Sequence, residues 1–345
     1  MSSDLHNTIT RQLQDAHNIL VLSHIRPDGD AIGSLLGLGL ALQSAGKEVQ
    51  MVLPDGVPRN FRYLKGSEKI GRRPKGDFDL VVVVDCSDLP RVGEAIQDLT
   101  PDLNIDHHIT NLNFARVNLV LPEAVATSAI LAEFLPVWNL AIDENIASAL
   151  LTGLVSDTIG FRTSNMTAHA LHLAADLMEL GANLPELYNQ ALVRRSYESA
   201  LYWGQGLNRL QCEDRLVWTS LSLDDRVRSN YPGNDDADLI NVLSSIDDID
   251  VAVIFIEQKG GRVKVSWRAQ PGLDISQIAL QFGGGGHAAA SGAEIPGSLL
   301  EVQNQVLSAT RLFLLNNSNY NGNNNYGKKP AAGLSAVQDH LTYGV

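Results

Sequence analysis

The sequence predicts an α/β protein in which a doubly wound, mainly parallel sheet is followed by a smaller α/β domain. Strand and helix patterns alternate through the first half of the chain, as they do in parallel sheets. From about residue 216 a new series of strand and helix runs begins, which indicates a second domain. The length of 345 residues suits two domains, and a hydrophobic content of 44% can fill ordinary cores.

Four apolar runs predict the strands of the first domain. In chain order they are NILVLSH, KEVQMVLP, DLVVVVDCSD and DLNIDHH. The third run is apolar on both faces, as a central parallel strand should be. The helical patterns of this domain are DAIGSLLGLGLALQSAG and the runs near residues 128–135, 144–156 and 167–180.

The second domain is predicted from a further series of runs. Its strands are RLVWTSLSL, VAVIFIEQ and RVKVSWRAQ, and its helices are DADLINVLSSI, DISQIALQFG and SLLEVQNQVLSATRLFLL. The chain then divides into a first domain over residues 1–185, a helical connector over 186–212, a second domain over 213–316 and a tail over 317–345. We expect the Asn/Gly-rich tail to be disordered, because such a composition cannot bury a core.

Composition and charge argue against several classes of protein. No apolar run reaches the ~20 residues needed to span a bilayer, and the polar N-terminus lacks the pattern of a signal peptide. Cys86 and Cys212 offer neither a disulfide framework nor a CxxC metal site, so we expect a cytoplasmic protein. The formal net charge of -13 argues against binding to long nucleic acid, which usually needs a basic surface. A phosphate ester substrate would therefore be small.

Acidic and imidazole side chains stand where the apolar runs stop. They are His24, Asp28 and Asp30 after the first strand, Asp85 after the third, Asp106, His107 and His108 after the fourth, and Asp157 after the run IASALLTGLVSD. Because the carboxyl ends of parallel strands share one edge of the sheet, segments far apart in sequence can deliver these groups to one place. The sequence therefore predicts a cluster of carboxylates and imidazoles at that edge.

Such a cluster suits divalent cations. A mixed set of Asp and His with no thiolate favours Mn²⁺ or Mg²⁺, and several carboxylates in one cleft would repel one another without cations. Two cations can share a carboxylate and activate a water, which is the usual arrangement for phosphoester hydrolysis. Single residues also have structural alternatives. Asp30 could cap the helix that it begins, and His108 could be a hydrogen-bonded histidine of the core.

A glycine-rich element in the second domain is a candidate anion site. The consecutive glycines of 283–286, followed by His287, would let backbone N–H groups approach an anion, and a flexible turn between helices is the alternative. Arg268 ends the preceding strand, and a surface salt bridge is a common structural role for such a residue. Arg162, close to Asp157 in the chain, is a second candidate for a phosphate contact.

In order and spacing, the motifs resemble those of the DHH phosphoesterase superfamily. The four motifs of its N-terminal domain correspond to HIRPDGDAIGS, VVVVDCSD, NIDHHIT and LLTGLVSDTIGF, and Asp106-His107-His108 is the eponymous triplet. The run FGGGGHAAASG resembles the glycine-rich motif of the DHH-associated domain of subfamily 1. The resemblance covers residues 18–315, nearly everything except the tail.

The resemblance implies a role for each motif residue. Two Mn²⁺ ions are implied, with Mg²⁺ or Co²⁺ as alternatives. One ion would be held by His24, Asp28, Asp85 and Asp157, and the other by Asp30, Asp85, His107 and Asp157. The residues that would orient or contact the phosphate near the ions are Asp106, His108 and Arg162. The far phosphate or base would be held, in a cleft between the domains, by Arg268, Gly284, Gly285, Gly286 and His287.

Within the superfamily, the resemblance is to the bacterial group that hydrolyses short RNA oligonucleotides (nanoRNA) to mononucleotides and 3′-phosphoadenosine-5′-phosphate (pAp) to AMP. A phosphodiesterase for cyclic di-AMP or its linear product pApA has the same two domains and stays an alternative. The glycine-rich motif disfavours a family II inorganic pyrophosphatase, and the acidic charge disfavours a RecJ-type exonuclease. The presence of every expected ligand disfavours a nucleotide-binding scaffold with inactive metal sites. A homodimer would fit the family, and no membrane attachment is expected.

Overall fold

The computed structural model describes residues 3–96 and 100–317, which form two compact units. The first unit ends at Arg194 and the second begins at Arg195. Each unit has its own sheet and its own hydrophobic core. The predicted α/β class, with a parallel first sheet and a second α/β domain, is confirmed.

The segments predicted outside the two domains fall in different places. Residues 186–212, predicted as a connector, contribute helical turns to both units. The predicted tail lies, from residue 318 onwards, outside the described residues. In the part of the chain that the structure describes, no helix has the length and apolar character that crossing a membrane requires.

The first unit is a five-stranded sheet flanked by helices. The strands are β1 (Asn18–Leu22), β2 (Glu48–Val52), β3 (Leu80–Val84), β4 (Leu103–Asp106) and β5 (Val117–Val120), in the all-parallel order β2-β1-β3-β4-β5. The helices are α1 (Ser3–Asp15), α2 (Gly29–Ser44), α3 (Thr127–Phe134), α4 (Glu144–Asp157), α5 (Ala168–Glu179) and α6 (Leu184–Tyr188). A π-helical turn covers Asn189–Val193, and short 3₁₀ turns cover Arg59–Phe61, Ser67–Lys69 and Pro90–Ile96.

The C-terminal ends of the central strands are level. Leu22 of β1 pairs with Val83 of β3, and Val84 of β3 pairs with Ile105 of β4. The strand order reverses at β1, whose neighbours are β2 and β3. Ligands of open parallel sheets bind at such a reversal, beyond the carboxyl ends of the strands. The segments that follow β1, β3 and β4 therefore converge on one place.

Side chains of the parallel strands alternate between two buried faces. Ile19 and Val21 of β1 point into the larger core, to which α1, α2, α3 and α4 contribute. Leu20 and Leu22 of the same strand point into a smaller cluster on the opposite face. Burial on both faces explains why these strands appear in the sequence as continuous apolar runs.

Helices α2 and α4 approach each other closely at glycines. A Cβ atom on Gly33 would lie 2.5 Å from the carbonyl oxygen of Ala149 and 2.8 Å from the amide nitrogen of Gly153. One turn earlier, a Cβ atom on Gly29 would collide with the side chain of Ser156. Only glycine fits such a backbone-to-backbone approach. The crossing places the first turn of α2 beside the last turn of α4.

The second unit is built on a six-stranded mixed sheet. Its strands are β6 (Gln211–Glu213), β7 (Leu216–Leu221), β8 (Val251–Gln258), β9 (Arg262–Ala269), β10 (Gly285–His287) and β11 (Ala290–Pro296). The order is β10-β11-β9-β8-β7-β6, in which only β7 and β8 are parallel neighbours. Its helices are α7 (Tyr197–Leu207), α8 (Leu223–Arg228), α9 (Leu239–Leu243), α10 (Ser276–Gln281) and α11 (Leu299–Asn317).

An ion pair fixes the start of α8 in this unit. Nη1 and Nη2 of Arg209 donate to the two carboxylate oxygens of Asp225 at 2.5 and 2.6 Å, and the Asp225 side chain is only 1% exposed. Ser222 and Asp225 form a capping box. Burial alone would raise the pKa of Asp225, but the hydrogen bonds from Arg209 and Ser222 outweigh it and lower the pKa to about 2.

We expect Asp225→Asn to lower the free energy of unfolding of the second unit by about 2 kcal/mol near neutral pH, because the carboxylate is favoured by roughly two pKa units on folding. Since the folded pKa is depressed, this stabilisation is present above the unfolded value of about 4 and is lost as the pH falls towards 2. Urea titrations across this range should show the wild type and the variant converging in acid.

The adjacent, exposed Asp224 provides the matched control. Asp224→Asn should leave the unfolding free energy within about 0.5 kcal/mol of the wild type. A gap between wild type and Asp225→Asn that stays constant from neutral pH into acid would contradict the assigned role of the Asp225 carboxylate.

Candidate metal centre

The cluster predicted from the sequence forms at the C-terminal edge of the parallel sheet. His24 follows β1, Asp85 directly follows β3, and Asp106 ends β4. The start of α2 and the end of α4 supply three further carboxylates, Asp28, Asp30 and Asp157. The level strand ends and the close α2–α4 crossing thus bring groups from four segments together.

The first ligand group consists of His24, Asp28 and Asp85. Nε2 of His24 lies 3.8 Å from Oδ2 of Asp28 and 3.6 Å from Oδ2 of Asp85. One ligand atom from each residue falls within 4.8 Å of the other two. Ligands bound about 2.1 Å from one cation are separated by roughly 3 to 4 Å, so these spacings suit a shared ion.

The second ligand group consists of Asp30, Asp85 and His107, whose ligand atoms also lie within 4.8 Å of one another. Nε2 of His107 lies 3.8 Å from Oδ1 of Asp85 and 3.6 Å from Oδ2 of Asp157. The two oxygens of Asp85 therefore serve different groups, Oδ2 the first and Oδ1 the second. Asp157 lies at the second group, beside His107.

The backbone at Asp85 is held in a strained conformation. Its φ of 53° falls in the left-handed region, which a residue with a side chain rarely adopts. The amide nitrogen of Asp85 donates to the carbonyl oxygen of Ile105 at 2.9 Å, and Thr127 Oγ1 donates to Asp85 Oδ1 at 3.0 Å. These bonds hold the turn that directs the carboxylate into the cluster. The contribution of Thr127 was not predicted, because nothing in a single sequence links positions 85 and 127.

The imidazoles of both ligand groups are oriented by backbone carbonyls. Nδ1 of His24 lies 2.8 Å from the carbonyl oxygen of Ile25, and Nδ1 of His107 lies 3.3 Å from that of Ala124. Because a carbonyl only accepts, Nδ1 carries the proton, and Nε2 is the ring nitrogen that would bind a cation. Nε2 of His24 is buried and has no hydrogen-bond partner among the described residues. A buried acceptor of this kind fits a cation.

Asp28 and Asp30 have capping roles besides their place in the cluster. Asp28 caps α2, its Oδ1 accepting from the amides of Asp30 and Ala31 at 3.1 and 3.0 Å. Asp30 instead accepts from the first amides of α3, those of Thr127 at 2.6 Å and Ser128 at 2.9 Å. The structural alternative that Asp30 caps the helix it begins is therefore wrong. It caps α3 across 97 residues of sequence, while a carboxylate still has lone pairs left for a cation.

The charges of the cluster shift the pKa of three of its carboxylates, Asp30, Asp85 and Asp157. Burial and the charge of Asp85 raise the pKa of Asp30 to about 7. Burial and the charges of Asp30, Asp28 and Asp85 raise the pKa of Asp157 well above its usual value. Burial would also raise the pKa of Asp85, but its neighbour His24 and the other imidazoles outweigh burial and lower it. Carboxylates that raise one another's pKa are a good site for cations, which would relieve the repulsion.

His108 and Asp106 form a pair next to Asp85. Nδ1 of His108 donates to Oδ1 of Asp106 at 2.7 Å and lies 3.8 Å from Oδ1 of Asp85. Asp106 is fully buried, and its other oxygen accepts from the side-chain amide of Asn111 at 2.5 Å. The pair fits a histidine held by an oriented carboxylate. Asn111 was not among the predicted site residues, although it follows the triplet within the same short loop.

Arg162 lies apart from these contacts. Its side chain is exposed, and its Nε donates to the carbonyl oxygen of Ile159 at 3.1 Å. Among the described residues the structure shows no ion pair or hydrogen bond between Arg162 and the cluster.

The glycine-rich element belongs to the second unit, where β10 pairs with β11 rather than forming a turn between helices. A Cβ atom on Gly284 would collide with β11, and Gly286 has a φ of 137°, so both glycines are needed for close pairing. A Cβ atom on Gly285 would meet open space, and His287 ends β10. Of the three glycines predicted to bind an anion, Gly284 and Gly286 are explained by the pairing of β10 with β11. Only Gly285 has open space beside it.

Arg268 lies near the end of β9 in the same unit. Its Nη1 donates to the carbonyl oxygen of Trp267 at 3.0 Å, and its Nε is buried with no hydrogen-bond partner among the described residues. Burial lowers the pKa of the guanidinium, against the charges of Asp236 and Asp238. The surface salt bridge considered for Arg268 does not occur among the described residues.

Comparisons with known proteins cover most of the chain. The DHH family, N-terminal domain, matches residues 18–154, and the DHHA1 domain matches residues 225–314. A "Bifunctional oligoribonuclease and PAP phosphatase NrnA" from Thermus thermophilus is 32% identical over 299 residues, which are 85% of this chain and 89% of the relative. A "Probable manganese-dependent inorganic pyrophosphatase" from Lactococcus lactis is 32% identical over 197 residues, which are 51% of this chain and 60% of the relative.

The fold is shared with a solved structure. The crystal structure of an exopolyphosphatase-related protein from Bacteroides fragilis matches with a TM-score of 0.83 at 23% identity, over 92% of this chain and 98% of that one. At this identity the likeness concerns the fold, whereas the Thermus relative extends the likeness to sequence over most of the chain. The chain belongs to the DHH phosphoesterase family, with a DHH N-terminal domain followed by a DHHA1 domain.

Proposed function

We propose that this protein is a manganese-dependent phosphoesterase that hydrolyses short RNA oligonucleotides to mononucleotides and pAp to AMP. The observation that carries the proposal is the pair of ligand groups that share Asp85. Two cations sharing a carboxylate suit phosphoester hydrolysis. The name of the Thermus relative, which mentions an oligoribonuclease and a PAP phosphatase, supports the choice of substrate.

The proposed cation ligands are the residues of the two ligand groups together with Asp157. They are His24, Asp28, Asp30, Asp85, His107 and Asp157. Asp85 contacts both groups, and the sharing of Asp157, which lies beside His107, is proposed from the resemblance to the family. Oxygen and imidazole ligands without thiolate suit Mn²⁺, with Mg²⁺ or Co²⁺ as alternatives, and one relative is named for manganese. When bound, the cations would supply Lewis-acid stabilisation of phosphoryl charge and an activated water.

His108 is proposed to hold the scissile phosphate. Nδ1 of His108 donates to Asp106, so Nε2 is the ring nitrogen that is proposed to face a substrate oxygen. Burial would lower the pKa of His108, but the hydrogen bond to Asp106 and the charge of Asp85 outweigh it and raise the pKa. An imidazole that more readily carries positive charge makes a stronger hydrogen bond to phosphate. We also propose Arg162, on the segment after Asp157, as a phosphate contact.

The second unit is proposed to bind the far phosphate or base of the substrate. Its groups are Arg268, Gly284, Gly285, Gly286 and His287. The buried Nε of Arg268 that lacks a partner among the described residues, and the open face of Gly285, support this role. The net charge of -13 disfavours long strands, so recognition is expected to depend on these few local groups.

A substrate panel with Mn²⁺ tests the proposal. The panel contains pAp, pApA, cyclic di-AMP, RNA of about two to five nucleotides and RNA of about 24 nucleotides. We expect pAp and the short RNAs to be hydrolysed with a kcat/KM at least about tenfold above that of the long RNA. A long strand needs an extended basic surface, whereas a short ligand does not.

The outcomes of the panel separate the rival functions. Hydrolysis of cyclic di-AMP ahead of pAp and short RNA would replace the proposal by the cyclic dinucleotide alternative. Cleavage of the long RNA alone would overturn the short-substrate argument. Preparations of Asp85→Asn, purified in parallel, report any contaminating nuclease.

A further inference from the structure

Two side-chain amides, those of Asn104 and Asn111, lie behind the His108–Asp106 pair. Asn104, on β4, is fully buried, and Asn111 is half-buried in the loop that follows. Nδ2 of Asn111 lies 2.5 Å from Oδ2 of Asp106 and 2.8 Å from Oδ1 of Asn104. Hydrogen bonds therefore run from His108 through Asp106 and Asn111 to the buried Asn104.

The hydrogen-bond partners of Asn111 fix the orientation of its side-chain amide. Nδ2 of Asn111 carries two protons, and each of its neighbours is an acceptor: Asp106, Asn104 and the carbonyl oxygen of Cys86 at 3.2 Å. Oδ1 of Asn111 accepts from the amide nitrogen of Asn113 at 2.7 Å. A flipped amide would place oxygen against the Asp106 carboxylate, so the orientation in which Nδ2 faces these acceptors is the one that the contacts allow.

The amide pair also reaches the turn that carries Asp85. The carbonyl oxygen of Cys86, directly after Asp85, accepts from Nδ2 of Asn104 at 3.3 Å and from Nδ2 of Asn111. Nδ2 of Asn104 also donates to the carbonyl oxygen of Val83 at 3.2 Å. The same two side chains thus hold the end of β3 and, through Asn111, the carboxylate that orients His108.

We propose that Asn111 is a positioning residue that sets the orientation of His108 through Asp106. One oxygen of Asp106 is occupied by Asn111 and the other by Nδ1–H of His108. With the carboxylate unable to rotate, the imidazole keeps Nδ1 on Asp106 and presents Nε2. Asn111 itself touches neither the ligand groups nor, on the proposed function, the phosphate. The catalytic consequence rests on the proposed role of His108, but the orientation of the imidazole does not.

Asn111→Asp is the sharpest test. The change keeps the size of the side chain but replaces a donor by a charged acceptor facing the Asp106 carboxylate. We expect kcat for pAp to fall about 10- to 100-fold with KM within about twofold, as for other partners of oriented site residues. Asn113→Asp is the matched control, since it places the same charge on an exposed side chain of the same loop. It should leave kcat within about twofold.

Nuclear magnetic resonance gives a readout that does not depend on turnover. In metal-free protein with ¹⁵N-labelled histidine, the Nδ1-bound proton of His108 should give a downfield signal, identified by its absence in His108→Gln. We expect Asn111→Asp to shift or lose this signal and Asn113→Asp to retain it. An unchanged signal in Asn111→Asp would overturn the proposal, whatever substrate the wild type hydrolyses.

A second variant guards against misfolding. Asn111→Ala removes the donor without adding charge, and its effect on kcat is compared with those of Asp106→Asn and of the double variant. If Asn111 acts through Asp106, the double variant should lose no more than about twofold beyond Asp106→Asn alone. Fully multiplicative losses would show that Asn111 acts independently of Asp106 and would overturn the proposal.

Discussion

Asp85→Asn should abolish turnover of pAp and short RNA, lowering kcat/KM by at least about a thousandfold. Each carboxylate oxygen of Asp85 serves a different ligand group, with Oδ2 3.6 Å from Nε2 of His24 and Oδ1 3.8 Å from Nε2 of His107. An uncharged amide offers one oxygen, so both groups lose a ligand or its charge in a single step. Asn tolerates the left-handed backbone at this position, where φ is 53°, so the turn should persist.

We expect the loss of activity in Asp85→Asn to arise from impaired cation binding and not from unfolding. Circular dichroism and urea unfolding should match the wild type, while Mn²⁺ titration calorimetry should show weakened binding and reduced stoichiometry. Asp176→Asn, which neutralises an exposed carboxylate on α5, is the matched control and should keep activity within about twofold. Full activity of Asp85→Asn at low Mn²⁺ would overturn the assignment of Asp85 as a shared ligand.

The clustering of His24, Asp85 and Asp106 could be predicted because it follows from a one-dimensional pattern. Each residue ends an apolar run or closely follows one, and parallel strands of similar length deliver their ends to the same edge. The paired register of β1, β3 and β4 provides this alignment. The pattern needs no knowledge of which distant segments touch.

Contacts between distant segments could not be predicted in the same way. Asp30 follows a strand and begins a helix, so a local cap was a reasonable alternative, yet its carboxylate holds the first turn of α3. Thr127 reaches Asp85 only because that turn lies over the end of β3. These roles depend on tertiary packing, to which hydrophobic periodicity and local propensity are blind.

The glycines likewise combine features that the local sequence predicts with features that depend on tertiary contacts. The consecutive glycines of FGGGGH stand out in the sequence, but β10 could not be predicted, because a strand of only three residues, two of them glycine, has no hydrophobic periodicity. Gly284 is required by close pairing with Gly292 and Ala293 of β11, a partner that the local sequence does not reveal. In α2, likewise, a helical pattern was evident, whereas the need for glycine at position 33 arises from α4.

Gly33→Val should be the most destabilising single substitution considered for the first unit, lowering its free energy of unfolding by about 4 kcal/mol. A Cβ atom at position 33 would lie 2.5 Å from the carbonyl oxygen of Ala149 and 2.9 Å from Cα of Gly153, and backbone atoms of a packed helix cannot move aside. Gly33→Ala should cost about 2 kcal/mol, since its higher helix propensity offsets part of the strain.

The same crossing sets the geometry of the cluster, so the substitutions at Gly33 should also weaken Mn²⁺ binding in whatever fraction stays folded. The start of α2 carries Asp28 and Asp30, and α4 ends at Asp157. Gly39→Ala is the matched control on α2, because its Cβ atom would meet the flexible thioether of Met51 rather than backbone. Its unfolding free energy should stay within about 1 kcal/mol of the wild type, with Mn²⁺ affinity unchanged. Equal effects of Gly33→Ala and Gly39→Ala on stability and Mn²⁺ affinity would show that the α2–α4 approach does not hold the centre together.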